Sequence, residues 1–263
     1  MILSAPSPVA FDIFGFSVYW YGIILAFAIF CGAYVADYVY RRFYLQNNDM
    51  DLLLDSIPLL ILVGFLGARL YYCFVNWQYY STHFVEVFNA RQGGLSIHGM
   101  LFACVVFLFF YTKFKKISFF DFCAPLCVGL PFAQFIGRWG NFFNSEAFGK
   151  PYDGFLKLYI APEYRPEILS SFEYFHPTFL YESILDFLIF VVLILSVRNK
   201  KYSSMYIVGV YLMLYSVVRI FVEFIRVDSV SFVFGVPIAV FVSAILLCVA
   251  CVVILLAKKE KFR

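Results

Sequence analysis

Seven long apolar runs alternate with short polar segments along the chain. They cover about residues 17–40, 52–75, 96–112, 119–137, 177–197, 203–223 and 232–256. A run of about twenty apolar residues matches the length of a helix that crosses a bilayer. Because lipid offers the backbone no hydrogen-bond partner, only helices and closed barrels cross it, and continuous apolar runs favour helices. The pattern therefore predicts an all-α integral membrane protein, with seven transmembrane helices forming one domain over residues 1–263.

The composition supports this prediction. Of the 263 residues, 63% are hydrophobic and 14% are charged, whereas soluble domains are about half apolar and about a quarter charged. The net charge of +3 is too small to indicate a nucleic-acid partner. No basic residue precedes Arg41 and no small-residue cleavage site follows a short apolar core, so we expect no removable signal peptide.

The basic residues predict the orientation. If the C-terminus is cytoplasmic, twelve of the twenty basic residues cluster at four cytoplasmic helix ends, as the positive-inside rule requires. They are Arg41, Arg42, Lys113, Lys115, Lys116, Arg198, Lys200, Lys201, Lys258, Lys259, Lys261 and Arg263. The outer segments carry scattered single charges, of which Arg91 is one. We therefore predict an N-out, C-in protein, in which the long connection 138–176 forms a small ordered periplasmic or extracytoplasmic subdomain.

Polar residues inside apolar runs are the first candidates for function, because a charge at mid-membrane costs about 2.5–3.5 kcal/mol on insertion scales. Tyr215, Arg219, Glu223 and Arg226 are spaced four, four and three residues apart, which places them within about 80° of arc on one helix. Glu223 is spaced to pair with either arginine. The stripe forms either part of a site or a structural ion pair that ties two helices together.

The segment FIGRWGNFFNSEAFG, which ends at Gly149, is the second candidate. It sets Arg138, Asn141, Asn144 and Glu146 among glycines and aromatic residues. An arginine with flanking amides is suited to hold a phosphate group by two parallel hydrogen bonds. The alternative is a capped helix end with an interfacial arginine.

Further polar residues lie near the ends of other spans. His98 is the candidate general base, since the unperturbed pKa of histidine lies near neutral, although a structural histidine fits the same pattern. Tyr21 belongs either to an aromatic belt or to a site at the outer leaflet. Arg69 either stabilises the bundle or lines the same cavity. The segment HPTFLYES adds Tyr181 and Glu182 just inside the fifth span.

Six segments together resemble the bacterial phosphatidylglycerol–prolipoprotein diacylglyceryl transferases. In family order they are WYG (20–22), GAR (67–69), GGLSIHG (93–99), GRWGNFFNSE (137–146, followed by Gly149), HPTFLYE (176–182) and RIFVEFIR (219–226). They span nearly the whole chain, and the ordered set is far more specific than any one segment. After Arg226 the chain reaches the acid Asp228 one residue earlier than the family commonly does.

The resemblance implies a transfer reaction at the outer face of the bacterial cytoplasmic, or inner, membrane. The diacylglyceryl group of phosphatidylglycerol moves to the thiol of the lipobox cysteine of a prolipoprotein, and glycerol phosphate leaves. This is the first step of lipoprotein maturation. The implied partners are phosphatidylglycerol, the lipobox peptide and membrane lipid, and no metal or organic cofactor is expected.

The resemblance and the chemistry together suggest roles for the candidates. We expect Arg138 and Arg219 to hold the phosphate, Asn141 to contact the glycerol or phosphate, and His98 to accept the thiol proton. Hydroxyl donors would come from Tyr21 and Tyr215. The further phosphatidylglycerol-binding candidates are Asn144, Glu146 and Gly149, and the supporting candidates are Arg69, Tyr181, Glu182, Glu223 and Arg226.

Two other classes of membrane protein compete with this interpretation. A transporter or flippase would also line a cavity with Arg, Glu and Asn, but the chain lacks the matching halves that transporters often show. An intramembrane protease would need a serine–histidine pair or paired aspartates, and no aspartate pair is apparent within the predicted spans.

Overall fold

The computed structural model describes residues 1–45, 51–89, 93–199, 201–227, 232–233 and 235–260. Within these ranges seven helices are long and apolar enough to cross a membrane, which confirms the predicted number of spans. The helices are α1 (Trp20–Val39, extended by a π-helical turn at Tyr40–Tyr44), α2 (Leu52–Val75), the short α3 (Trp77–Tyr80), α4 (Ile97–Lys115), α5 (Phe119–Phe143), α6 (Thr178–Arg198), α7 (Ser204–Glu223) and α8 (Ile238–Glu260). The side of the membrane that each end faces remains a prediction. Arg91, Lys200, Asp228, Lys261 and Arg263 lie outside the described residues.

The chain forms two compact units, residues 40–123 and residues 1–39 with 124–263. In the first of these, α2 packs on α4 at a pair of glycines. A Cβ atom on Gly67 would lie only 2.7 Å from the carbonyl oxygen of Gly99 and 2.3 Å from Cβ of Ala103. Small residues at a crossing let membrane helices pack backbone to backbone, and van der Waals contact then holds them together.

The larger unit uses the same device and adds polar links between its helices. A Cβ atom on Gly129 of α5 would lie 2.3 Å from the carbonyl oxygen of Gly32 in α1. Ser183 of α6 donates a hydrogen bond of 2.8 Å to the carbonyl oxygen of Phe135 in α5. These contacts fix α1, α5 and α6 against one another.

A small sheet with its own apolar core lies beside the helices of the larger unit. Strand β1 (Ile2–Ser4) runs parallel to β4 (Lys157–Tyr159), which is antiparallel to β5 (Tyr174–Phe175). The core residues, each at most 3% exposed, are Phe148, Leu158, Ile160, Phe175 and Phe179. The N-terminal residues therefore belong to the same body as the connection between α5 and α6.

Two hairpins and one longer helix shift the boundaries from those predicted. Strands β2 (Val9–Ile13) and β3 (Phe16–Tyr19) pair before α1, and β6 (Phe232–Val233) and β7 (Val236–Pro237) pair before α8. The first and last spans therefore begin later than the apolar runs. Helix α5 continues six residues beyond predicted position 137 and ends at Phe143. Arg138 thus lies inside a helix rather than at the start of an external segment, because its charge is paired within the protein.

Candidate active site

Three arginines converge on one carboxylate in the larger unit. Glu182, in the second turn of α6, lies with Oε2 2.5 Å from Nη2 of Arg138 in α5. Its other oxygen, Oε1, is 3.8 Å from Nη1 of Arg219 in α7 and 3.3 Å from Nη1 of Arg226, which follows α7. The chain therefore gathers residues up to 88 positions apart around a single side chain.

Two further carboxylates complete the cluster. Asp186 lies one helical turn beyond Glu182, with Oδ2 3.5 Å from Nε of Arg138. Glu223 lies one turn beyond Arg219 and approaches its Nη2 to 2.7 Å, which is one of the two pairings that the spacing predicted. With three carboxylates and three guanidinium groups, the cluster carries balanced formal charge when all are ionised.

The two kinds of charge differ in depth. The carboxylate side chains are 1–4% exposed, whereas the guanidinium side chains are 15–19% exposed. A buried carboxylate needs a partner because its desolvation is expensive. The acids thus form the more buried layer of the cluster, and the arginine side chains form the more accessible one.

The arginines retain donors beyond those that the acids use. A guanidinium group carries five N–H donors, and the described carboxylate contacts of Arg138 use Nε and Nη2. Nη1 of Arg219 is buried and has no hydrogen-bond partner among the described residues. Tyr215 lies one turn before Arg219 and is close enough to interact electrostatically with Arg138 and Arg219. An anion with several oxygens would satisfy such donors.

Tyr21 and the segment after Arg138 add neutral polar groups. A Cβ atom on Gly140 would lie 3.0 Å from Cδ2 of Tyr21, so a larger residue there would crowd this ring against α5. Tyr21 is within electrostatic reach of Glu146 and Arg138. Asn141 donates a hydrogen bond of 2.8 Å to Oε1 of Glu146. The Glu146 carboxylate is thus held by the side chain of Asn141, and its contact with phosphatidylglycerol stays a prediction.

Comparison with known proteins identifies the family. The family model of the prolipoprotein diacylglyceryl transferases matches residues 8–256. The chain is 41% identical over 222 residues to a phosphatidylglycerol–prolipoprotein diacylglyceryl transferase of Clostridioides difficile, covering 84% of each chain. An enzyme of the same name from Trichormus variabilis is 39% identical over 233 residues, covering 87% of this chain and 82% of the relative. A third, from Fervidobacterium nodosum, is 39% identical over 220 residues, covering 83% and 74%.

The chain belongs to the prolipoprotein diacylglyceryl transferase family. It is therefore a transferase, as the resemblance of its motifs implied.

The loop that follows α5 in this transferase is held by close packing. A Cβ atom on Gly149 would lie within 2.9 Å of three side chains, those of His176, Thr178 and Ile225. The Gly149 amide also donates a hydrogen bond of 2.9 Å to the carbonyl oxygen of His176. Gly149, predicted to bind phosphatidylglycerol, thus has a clear packing role. The backbone N–H of Asn144, another predicted ligand, donates a hydrogen bond to the carbonyl oxygen of Gly140.

Tyr181 bonds to a histidine rather than to the arginine cluster. Its hydroxyl lies 3.2 Å from Nδ1 of His176, whose ring stacks on Tyr152 with centroids 4.0 Å apart. Burial lowers the pKa of the His176 imidazole, because desolvation favours the neutral form of the ring. The pair packs the start of α6, the helix that carries Glu182.

Arg69 of the smaller unit is saturated by backbone carbonyl groups. It donates hydrogen bonds of 2.6–3.0 Å to five carbonyl oxygens and lies over the ring of Tyr80, 5.3 Å from its centroid. The acceptors are Glu86, Val87, Asn89, Gly93 and Gly94. Of the two roles that the sequence left open, these contacts favour the structural one.

His98 also belongs to the smaller unit, where it is half-buried in the first turn of α4. Its neighbour Gly99 contacts α2, since a Cβ atom there would lie 2.4 Å from the carbonyl oxygen of Gly67. The transferase thus carries His98 at the start of a closely packed helix. Its role as the base remains a prediction.

Asp186 is the residue of the cluster that the sequence analysis missed. A lone aspartate in an apolar run has no visible partner in its own helix, and its partner Arg138 is 48 residues away. A signal was nevertheless present, because Asp186 follows Glu182 by four residues and so shares its helix face. Two acids on one face of a transmembrane helix call for cationic partners on a neighbouring helix.

Proposed function

We propose that the protein transfers the diacylglyceryl group of phosphatidylglycerol to the thiol of the lipobox cysteine of a prolipoprotein. Glycerol phosphate is the second product. The names of the relatives describe this reaction. The observation that carries the proposal is the layer of arginine side chains, each held from beneath by buried acids, because the substrate presents a phosphodiester at the membrane surface.

The arginine layer is suited to bind the phosphate of phosphatidylglycerol and also the glycerol phosphate that leaves. Arg138 and Arg219 would bind the phosphate through the donors that face away from the acids. Asn141, Tyr21 and Tyr215 would bind the glycerol hydroxyls and ester oxygens. Since the acids and close helix packing fix the guanidinium groups before substrate arrives, little reorganisation is required during the reaction.

The proposed reaction is a displacement at carbon. The cysteine sulfur forms a bond to the diacylglyceryl carbon that carries the phosphate ester. The bond from this carbon to oxygen breaks, and its electron pair leaves on the phosphate oxygen. The thiol proton passes to a base, for which His98 is the candidate. The phosphate gains negative charge as it departs, and nearby arginines stabilise this charge strongly in a water-poor site.

The pairing of β1 with β4 relates the N-terminal residues to the connection between α5 and α6. Because β1 and β4 pair in one sheet, the N-terminal residues and the connection between α5 and α6 lie on the same side of the membrane. Four of the seven spans separate them, which is the even number that this requires. We propose that this side is the outer face of the bacterial cytoplasmic membrane, following the distribution of basic residues.

The proposed function is tested with purified protein in vesicles that contain phosphatidylglycerol, with a lipobox peptide added. We expect the peptide to gain the mass of one diacylglyceryl group on its cysteine and to release glycerol phosphate in equal amount. A peptide with serine in place of the cysteine should gain nothing. Movement of lipid between leaflets without a covalent product would instead indicate a transporter.

His98→Gln tests the identity of the base. If His98 accepts the proton, the variant should lose about 10²–10⁴-fold in transfer rate, and the dependence of the rate on pH should change. The measurement is the transfer rate across pH 5–9. His83→Gln is the matched control, because His83 stacks on Tyr79 in an exposed loop of the same unit. A modest loss with an unchanged pH profile would rule out general-base catalysis by His98.

A further inference from the structure

The hairpin of β2 and β3 stands out from the protein immediately before the first span. Every residue from 11 to 17 is exposed. Strand β3 ends at Tyr19, α1 begins at Trp20, and the Trp20 amide donates a hydrogen bond of 3.0 Å to the carbonyl oxygen of Pro8. The hairpin is therefore fixed to the end of a transmembrane helix.

The two faces of the hairpin differ in chemistry. The cross-strand pair of Asp12 and Ser17 occupies one face, where the serine hydroxyl donates a hydrogen bond of 2.6 Å to the carboxylate. The pairs on either side of it point to the opposite face, because side chains alternate along a strand. That face consists of Phe11, Ile13, Phe16 and Val18. Phe11 and Ile13 are about half exposed and Phe16 is 77% exposed.

The turn of the hairpin also exposes an apolar side chain. Phe14 and Gly15 have φ of 49° and 82°, the left-handed conformations of the tight turn that favours Asn-Gly. A phenylalanine is strained there, and its side chain is 98% exposed. It gains no packing from the described parts of the protein. A phenylalanine at this position is therefore favourable only if its ring is buried in an apolar environment outside the protein.

We infer that the apolar face and the tip of this hairpin insert into the membrane interface at the N-terminal end of α1. The hairpin continues directly into a span whose own exposed side chains, such as Phe27 and Phe30, face lipid. Aromatic residues are typical of this depth, where a ring meets both acyl chains and headgroups.

The backbone limits how deeply the hairpin enters. A two-stranded ribbon has an unpaired edge on each side, and such edges do not occur in the hydrocarbon core. The hairpin therefore lies in the plane of the interface, about 5–10 Å into the headgroup and acyl boundary. Asp12 and Ser17 then face the headgroups and water. Trp20, which directly follows the hairpin, packs on Phe143 with ring centroids 5.2 Å apart, so the start of α1 and the end of α5 meet beside the hairpin.

The test places the photoreactive amino acid p-benzoyl-phenylalanine at one of four positions in the full-length protein, in nanodiscs of phosphatidylglycerol and phosphatidylethanolamine. Positions 14 and 16 report on the apolar face and tip, and positions 12 and 17 are the matched controls. After irradiation, intact-protein mass should show one added phospholipid several-fold more often at 14 and 16. Equal yields at the four positions, or adducts with a second protein copy or an added lipobox peptide in place of lipid, would overturn the inference.

A second measurement guards against disturbance by the bulky probe. Phe14→Trp keeps an aromatic residue at the tip. Its emission, after subtraction of the native protein's, should be quenched by lipids brominated near the headgroup and not by aqueous iodide. Quenching by iodide alone would contradict insertion. Neither measurement requires transfer activity, so both outcomes are independent of the proposed function.

Discussion

Arg138→Ala should lower kcat/KM for transfer by about a thousandfold or more, equivalent to about 4 kcal/mol of transition-state stabilisation. Arg138 contacts both Glu182 and Asp186 and has further donors for the phosphate. Arg138→Lys should retain only part of the activity, because an ammonium group cannot form the paired, planar hydrogen bonds of a guanidinium group. The measurement is the rate of peptide modification in phosphatidylglycerol vesicles.

A control variant tests whether the loss of any arginine lowers activity, or only the loss of one in the cluster. Arg41 pairs with the exposed carboxylate of Asp51, and Arg41→Ala should leave kcat/KM within about twofold, since such exposed pairs contribute little. Arg219→Ala should resemble Arg138→Ala. Near-native turnover by a folded Arg138→Ala or Arg219→Ala variant would remove the phosphate assignment and leave the cluster a purely structural one.

Glu182→Gln should destabilise the protein by about 3 kcal/mol, because it leaves three arginines around a neutral amide. When one charge of a buried cluster is removed, the desolvation cost of its partners is no longer offset by their attraction to it. Glu182 is the acid that all three arginines approach. The measurement is the midpoint of thermal unfolding in detergent, compared at matched protein concentration. Transfer activity should fall as well, since the arginines lose their common anchor.

Asp186→Asn is the matched control for Glu182→Gln. Asp186 is equally buried but has a described ion pair with Arg138 alone, so we expect a loss of about 1 kcal/mol. The ratio of the two effects thus reports how many arginines each acid holds. Equal unfolding midpoints for Glu182→Gln and the native protein would show that packing, rather than charge, organises the cluster.

The sequence predicts the helices of this fold well because the bilayer sets their length. Runs of about twenty apolar residues allow few other structures, and α2 begins and ends at the predicted positions. The predicted end of α5, at about residue 137, was six residues too early, because the helix continues to Phe143. Polar residues end a span only when they face lipid, and Arg138 faces Glu182.

Part of the site could be foreseen in the same way. The spacing of Arg219 and Glu223 on one helix is a local property, and their pairing follows from it. The approach of Arg138 and Arg226 to Glu182 depends on how three chain segments pack, which no local spacing encodes. The short strands could not be predicted either. Strands β1, β4 and β5 have two or three residues each, too few to show an alternation of apolar and polar side chains.

The parallel pairing of β1 with β4 has a consequence for biogenesis. Ser4 and its neighbours are synthesised well before their partner strand, which begins at Lys157, about 150 residues later. At about 5–20 residues per second, the N-terminal segment waits on the order of ten seconds, while four helices insert, before its sheet can close. The sheet therefore cannot close until β4 and β5 have been made, with α6, α7 and α8 still to follow.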